Sequence, residues 1–193
     1  LVRLMELKQL GGCCWVYPSA THTRLEHSIG VCVLAERLAR RLQLRYPGLG
    51  IDEDDVLCVQ IAGLVHDVGH GPFSHLFEEF ARETCPDWSH ETMTLRLVDH
   101  MVSSNYRLLD DTTFSSGCLS QHVAFIKLCV VGLSLEDEWP GYGAVGRGVE
   151  KRFLVDIVHN RTTGVDVDKL DYLTRDSLAV FGATRPIDLD RMV

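Results

Sequence analysis

Between Ala62 and His75 the chain reads AGLVHDVGHGPFSH, with three histidines, an aspartate, three glycines and a proline in fourteen residues. An apolar helical run that ends in imidazoles and helix breakers suits neither a core element nor a solvated loop. Burying His66 beside Asp67 is unfavourable unless their polar atoms are satisfied. A divalent cation satisfies both, taking an imidazole nitrogen and a carboxylate oxygen. Neighbours on a regular helix diverge by about 100°, yet at a fraying C-terminal turn both can converge on one ion. Further ligands must come from elsewhere, and His27 and Asp168 are the candidates. A set of His27, His66, Asp67 and Asp168 suits an octahedral ion with positions open to water or phosphate oxygens. In DVDKLDYLTRD (166–176), Asp168, Tyr172 and Asp176 recur at i, i+4 and i+8. Lys169 lies 100° round, so one face carries a ligand, a cation, an aromatic ring and a second acid.

The elements that must position these residues read as helices. THTRLEHSIGVCVLAERLARRLQL (21–44) opens at Thr23 with Glu26 three residues on, a capping-box spacing. Leu34, Leu38 and Leu42 share one face, with Arg37, Arg40 and Arg41 on the wet side. YPGLG (46–50) stops that helix. The next begins among Asp52 to Asp55, acids suited to a positive helix N-terminus. Leu57, Ile61, Leu64, Val65 and Val68 share one face, and Val59, Ala62 and Gly63 leave the opposite face nearly apolar. A helix apolar all round is central and buried, so His66 and Asp67 sit deep, in its last turn. Antiparallel packing through YPGLG brings His27, in the opening turn of the first helix, beside them. Further helices are expected over Ser89 to Val102, Ser120 to Val131 and VDVDKLDYLTRDSLAVF (165–181). The glycine-rich WPGYGAVGRG (139–148) reads as the one flexible segment. No strand alternation is sustained, so the expected fold is all-α and a single domain.

Composition narrows the function. The net charge of −8 argues against whole-surface attraction to nucleic acid or acidic lipid. A polyanionic ligand would need a local metal or a local cluster of Arg and Lys. No apolar run is long enough to span a bilayer, which excludes a membrane partner. Seven cysteines (13, 14, 32, 58, 85, 118 and 129) without paired spacing predict reduced, mostly buried thiols in an intracellular protein.

LKQLGG (7–12), RLEHSIGV (24–31), DVLCVQIAGLVHDVGHGPFSH (55–75), WSHE (88–91) and GVDVDKLDYLTRD (164–176) together carry a resemblance. The chain resembles the HD-domain superfamily of metal-dependent phosphohydrolases. Within it, the chain is most like the deoxynucleoside triphosphate triphosphohydrolases of the animal SAM- and HD-domain-containing type. The resemblance implies an HD domain over residues 1–193, forming the N-terminal part of a longer catalytic core. It implies that His27, His66, Asp67 and Asp168 hold a divalent metal (Fe, Mn, Zn or Mg), and that water attacks the α-phosphorus of a dNTP. Deoxynucleoside and intact triphosphate are the products. His75 is then the first choice for the acid that protonates the leaving 5′-oxygen, with His70 and His90 positioning or assisting. Arg24 and Lys169 match phosphate-contacting positions, and Tyr172 packs on the sugar. Gln9 and Asp176 bond the 3′-hydroxyl while Leu10 crowds a ribose 2′-hydroxyl, a route to deoxy selectivity. Asp166 is a candidate for a second, Mg-type ion accompanying the triphosphate.

The resemblance also implies a GTP or dGTP activator, a homo-oligomer in the full-length form, single-stranded nucleic acid as a further partner, and residence in the nucleus or cytosol. The chain departs from the family at Met5, where a basic residue near the activator region is usual, and at Glu78, where an aspartate is expected. Two other classes stay open: an HD-domain nucleotidase or phosphodiesterase on another nucleotide, and a non-catalytic nucleotide or single-strand binder. The sugar-reading set discriminates against the first, the metal ligands and acidic charge against the second. Without the resemblance, Arg24 and Lys169 read as solvated charges and Tyr172 as core. His22, His100, His122 and His159 read as ordinary surface or core residues.

Overall fold

The structure, a computed structural model, describes residues 1–104, 109, 112–182 and 188–192. Helices dominate it, and the described residues contain no β-strand, only an isolated antiparallel bridge between Lys8 and Thr23. Helix α1 spans Arg24–Arg45 and opens on the expected capping box: the Thr23 hydroxyl accepts from Glu26 N, and the Glu26 carboxylate from Thr23 N. Helix α2 spans Glu53–Val65 behind a second capping box, formed by Asp52 and Asp55. The turn between them folds α2 back along α1.

Helix α2 is the central element, packed between α1 and α5 (Leu119–Val131). It is buried as expected, though not evenly: Val65 and, just past its end, Val68 are 2% and 5% exposed. Val56, Cys58, Val59 and Ala62 are at most 1% exposed, whereas Leu57, Ile61 and Leu64 are only partly buried. Small side chains let two neighbouring helices approach closely, so the narrow face sits where packing is tightest. Helices α3 (His75–Arg82) and α4 (His90–Ser103) follow α2. The short helices α6 (Tyr142–Val145) and α7 (Val155–Val158) pack on α5, and α8 (Val167–Phe181) lies across α1. A last turn, α9, spans Leu189–Met192. No helix among the described residues is long and apolar enough to cross a membrane.

Residues 139–148 are not the loose segment their glycines suggest. Val145 and Arg147 are buried, and the Trp139 indole donates to Arg147 O at 3.0 Å. The Arg147 guanidinium pairs with Asp55 at 2.8 Å, donates to His122 Nδ1 at 3.1 Å, and lies 4.2 Å over the Phe125 ring. Asp54 accepts from the Ser115 and Ser116 amides and the Ser116 hydroxyl at 2.8–2.9 Å. The acids at the start of α2 are therefore more than helix-dipole partners, and His122 is part of a buried network. The expected thiol burial is also corrected: only Cys58 and Cys129 are buried, while Cys13, Cys85 and Cys118 are exposed.

Arg147→Ala leaves Asp55 buried with only Lys151 to balance it. Loss of one partner from a buried ion pair costs about 3–5 kcal/mol. With Lys151 retained, urea denaturation should show a loss near the lower end, about 3 kcal/mol.

Candidate active site

Four side chains from three helices meet where α2 ends. His27 comes from the first turn of α1, His66 from the C-terminal cap of α2, Asp67 from the turn beyond it, and Asp168 from the first turn of α8. His27 Nε2 lies 2.9 Å from Asp168 Oδ1 and 3.6 Å from Asp67 Oδ2. His66 Nε2 lies 3.5 Å from both Asp168 Oδ1 and Asp67 Oδ1. His27, His66 and Asp67 are nearly fully buried, and Asp168 is 35% exposed.

The outer nitrogens decide what the inner ones can do. His66 Nδ1 lies 2.7 Å from the Gly63 carbonyl, which only accepts, so Nδ1 carries the proton. His27 Nδ1 lies 2.8 Å from Asp171 Oδ2, with the same consequence. Both Nε2 lone pairs therefore face carboxylate oxygens, and buried His66 Nε2 has no hydrogen-bond partner. An arrangement of acceptors facing acceptors requires positive charge between them. The titration tendencies express the same demand. Burial works against charging His66, but Asp67 and Asp168 outweigh it and raise its pKa to about 9. Burial likewise opposes charging His27, and bonds to Asp168 and Asp171 raise it. Burial would raise both aspartates; the imidazoles, with Arg24 beside Asp67, hold them well below the carboxylate range. Imidazole nitrogen and carboxylate oxygen at this spacing fit a divalent ion.

A second cluster adjoins the first. His70 lies 3.4 Å from Asp67 Oδ1 and stacks on His90 at 3.9 Å between ring centres. Burial pushes the His70 pKa down to about 4, against the opposing pull of Asp67. His75 stands 5.3 Å from His70 and 5.6 Å from His90 between ring centres, with its side chain 75% exposed. Glu78 holds His90 Nδ1 at 2.9 Å and lies 3.6 Å from His75 Nδ1, so the glutamate occupies a working position despite the departure in length. Gly69 makes this possible: a Cβ there would come within 2.1 Å of His90 O, so only glycine lets α4 bring His90 in.

Three of the four donors, His66, Asp67 and Asp168, line one of two clefts that share Tyr172. The smaller, about 450 Å³, is lined by His66, Asp67, His90, Asp168, Lys169 and Tyr172, with Asn160 and Arg161 at its far side. The larger, about 770 Å³, is lined by Gln9, Leu10, Arg24, His75, Tyr172 and Asp176. The two expected phosphate cations thus fall on different sides. Arg24 is no solvated charge: it is buried, donates to Asp67, and reaches Ser74 Oγ at 2.7 Å. Asp166 uses both oxygens on backbone amides, those of Lys169 and Asn160, capping α8.

Comparison with known proteins agrees with this geometry. The HD domain family model matches residues 24–111. The chain is 45% identical over 183 residues to deoxynucleoside triphosphate triphosphohydrolase SAMHD1 of Gallus gallus, and 44% over 182 residues to that of Homo sapiens; each match covers 90% of this chain. It is 36% identical over 193 residues to the SAMHD1 homolog of Dictyostelium discoideum, covering 99% of this chain. The chain spans 28–34% of the length of these relatives.

Several residues that complete the site escaped sequence reasoning. Asp171 orients His27 and is itself held by Arg175 at 2.8 Å. Gly30 gives Asp171 its room, since a Cβ there would lie 1.9 Å from Asp171 Oδ1. Its place three residues after Asp168 is the signal that could have found it. Thr94 donates to His66 O and accepts from Gly69 N, both at 2.9 Å, bracing the turn. Arg3 donates to the carbonyls of Val68 and His70. Ser74 accepts from Arg24 and donates to Gln9 O at 2.9 Å from a left-handed backbone, φ 55°, next to Phe73 at φ 65°. Two successive non-glycine residues in that region mark stored strain of about 1–3 kcal/mol each. His22, set aside as ordinary, is bonded to Asp176 at 2.7 Å.

Removing the partner that orients a ligating histidine typically weakens metal affinity about 10–100-fold. Asp171→Ala should do so with α-helical circular dichroism retained, and His66→Ala should abolish binding, both read by competitive chelator titration.

Proposed function

We propose that this HD domain is the catalytic centre of a dNTP triphosphohydrolase, releasing deoxynucleoside and inorganic triphosphate by water attack on the α-phosphorus. The observation that carries this reading is the convergence of His27, His66, Asp67 and Asp168, three of them on the wall of a cleft that shares Tyr172 with a second. A divalent ion held by these four side chains would polarise the α-phosphoryl group and lower the pKa of a water.

The chain's own residues supply the rest. Lys169 and Arg161 give the smaller cleft local positive charge in a protein of net charge −8, as a polyphosphate requires. The larger cleft takes the sugar and base. Tyr172, on the boundary, packs on the deoxyribose; Gln9 and Asp176 bond its 3′-hydroxyl; Leu10 stands where a 2′-hydroxyl would be crowded. Arg24 lies between Asp67 and Ser74, close to both the reacting phosphorus and the Gln9 segment. His75, exposed at the mouth of the larger cleft, donates the proton to the departing 5′-oxygen. His70 and His90 form the wall that orients it, with Glu78 anchoring His90. The SAMHD1 relatives are named as deoxynucleoside triphosphate triphosphohydrolases, which supports the same substrate class. Among the described residues, the two clefts carry no aromatic ladder or basic stripe for nucleic acid as primary ligand.

The metal-loaded protein, incubated with dGTP and GTP separately, should release tripolyphosphate from the deoxy substrate alone, read by ion-exchange chromatography. Orthophosphate or a nucleoside monophosphate as product would overturn the assignment. His75→Asn should lower kcat by roughly 10²–10⁴-fold, the usual contribution of a positioned acid.

A further inference from the structure

We infer that His22 is the positioning residue of the sugar-reading pair, fixing Gln9 through its backbone and Asp176 through its ring. The inference rests on the proposed function and assigns His22 a part in discriminating the 3′-hydroxyl. Gln9 and Asp176 lie at opposite ends of the chain, and no single element carries both. His22 touches each. Its carbonyl accepts from Gln9 N at 3.0 Å, and its Nε2 lies 2.7 Å from Asp176 Oδ1. A carboxylate accepts, so Nε2 donates.

The ring has little freedom to drift. Its side chain is 9% exposed. The backbone that follows it is pinned by the Lys8–Thr23 bridge and by Arg24 N donating to Leu7 O at 2.8 Å. On the facing side, Asp176 projects from the C-terminal half of α8, and nothing else among the described residues holds its carboxylate. Its rotamer is therefore set by His22.

The polar atoms left over specify what the pair can take. Gln9 Oε1 and His22 Nδ1 are buried without hydrogen-bond partners, and Asp176 Oδ2 has none among the described residues. With Nε2 protonated, Nδ1 is an acceptor. The assembly is short of donors, and buried polar atoms that lack partners mark a place prepared for a complementary group. A hydroxyl donates, whereas the hydrogen of a dideoxy sugar cannot. His22 acts through Asp176 and Gln9, at a distance from the reacting phosphorus, so it should control selectivity more than the chemical step.

The test compares kcat/KM for a dNTP and its 2′,3′-dideoxy analogue in the parent protein, His22→Ala and His22→Gln. A site built to bond a hydroxyl strongly rejects the analogue that lacks it. The parent should prefer the 3′-hydroxyl substrate. His22→Ala should reduce that preference by roughly tenfold or more, with kcat on the dideoxy substrate held within about twofold. His22→Gln, whose amide N–H reaches the position of Nε2, should recover most of it. Should His22→Ala fail to fold, His22→Asn replaces it, being too short to reach Asp176. Equal losses on both substrates, tracking a fall in Tm without rescue by Gln, would overturn the inference. An inactive parent overturns the proposed reaction instead; calorimetry of a deoxynucleoside against a 2′,3′-dideoxynucleoside then decides the role of His22 by the same ratio.

Discussion

Two imidazole lone pairs and two carboxylates face one another at the end of α2, and everything around them answers the need for positive charge that this creates. Unit charges about 4 Å apart interact by about 4 kcal/mol at an effective dielectric of 20, a large share of a domain's net stability. Arg24 meets part of the demand by bonding Asp67. It does not meet the rest, because its two terminal nitrogens are directed to Asp67 and Ser74 and not to the imidazole Nε2 atoms. A proton shared between His27 and Asp168 is one answer, and a divalent ion is the other. The ion satisfies all four donors at once, which single protons cannot do.

The helices are arranged to hold these donors still. Capping boxes fix where α1 and α2 begin, and the close antiparallel pair sets the distance from His27 to His66, whose rings lie 5.1 Å apart. The same α2 that ends in the donors begins with Asp54 and Asp55, clamped by Ser115, Ser116, Arg147 and Lys151. One helix is thus anchored at one end by a buried polar network and functional at the other. Thr94, Arg3 and Asp171 each bond a group next to a donor rather than a donor's inner face, which is how orientation is fixed while the interior of the cluster stays open.

The features legible in the sequence share a physical basis: they depend on spacing along one helix. The capping box at Thr23, the buried run of α2, and the placement of Asp168, Tyr172 and Asp176 on α8 all follow from helical periodicity. The approach of His27 to His66 and Asp67 was legible too, because the turn through 46–50 dictates which ends of α1 and α2 adjoin. What escaped depends on contacts between distant segments. Nothing local marks Arg24 as buried, His22 as the partner of Asp176, or Arg147 as the counter-charge to Asp55. The glycines of 139–148 suggested looseness because composition reports backbone freedom, not the side chains that anchor the segment from within.

Asp171 meets His27 across 144 residues of chain. Elements close in sequence form early, whereas long loops close late and at an entropic penalty. During synthesis the α1–α2 pair can therefore assemble with two imidazoles and one carboxylate in place while α8 is still within the ribosome. A cation held by all four side chains would therefore need α8 docked, so ion uptake would report the closure of that long-range contact.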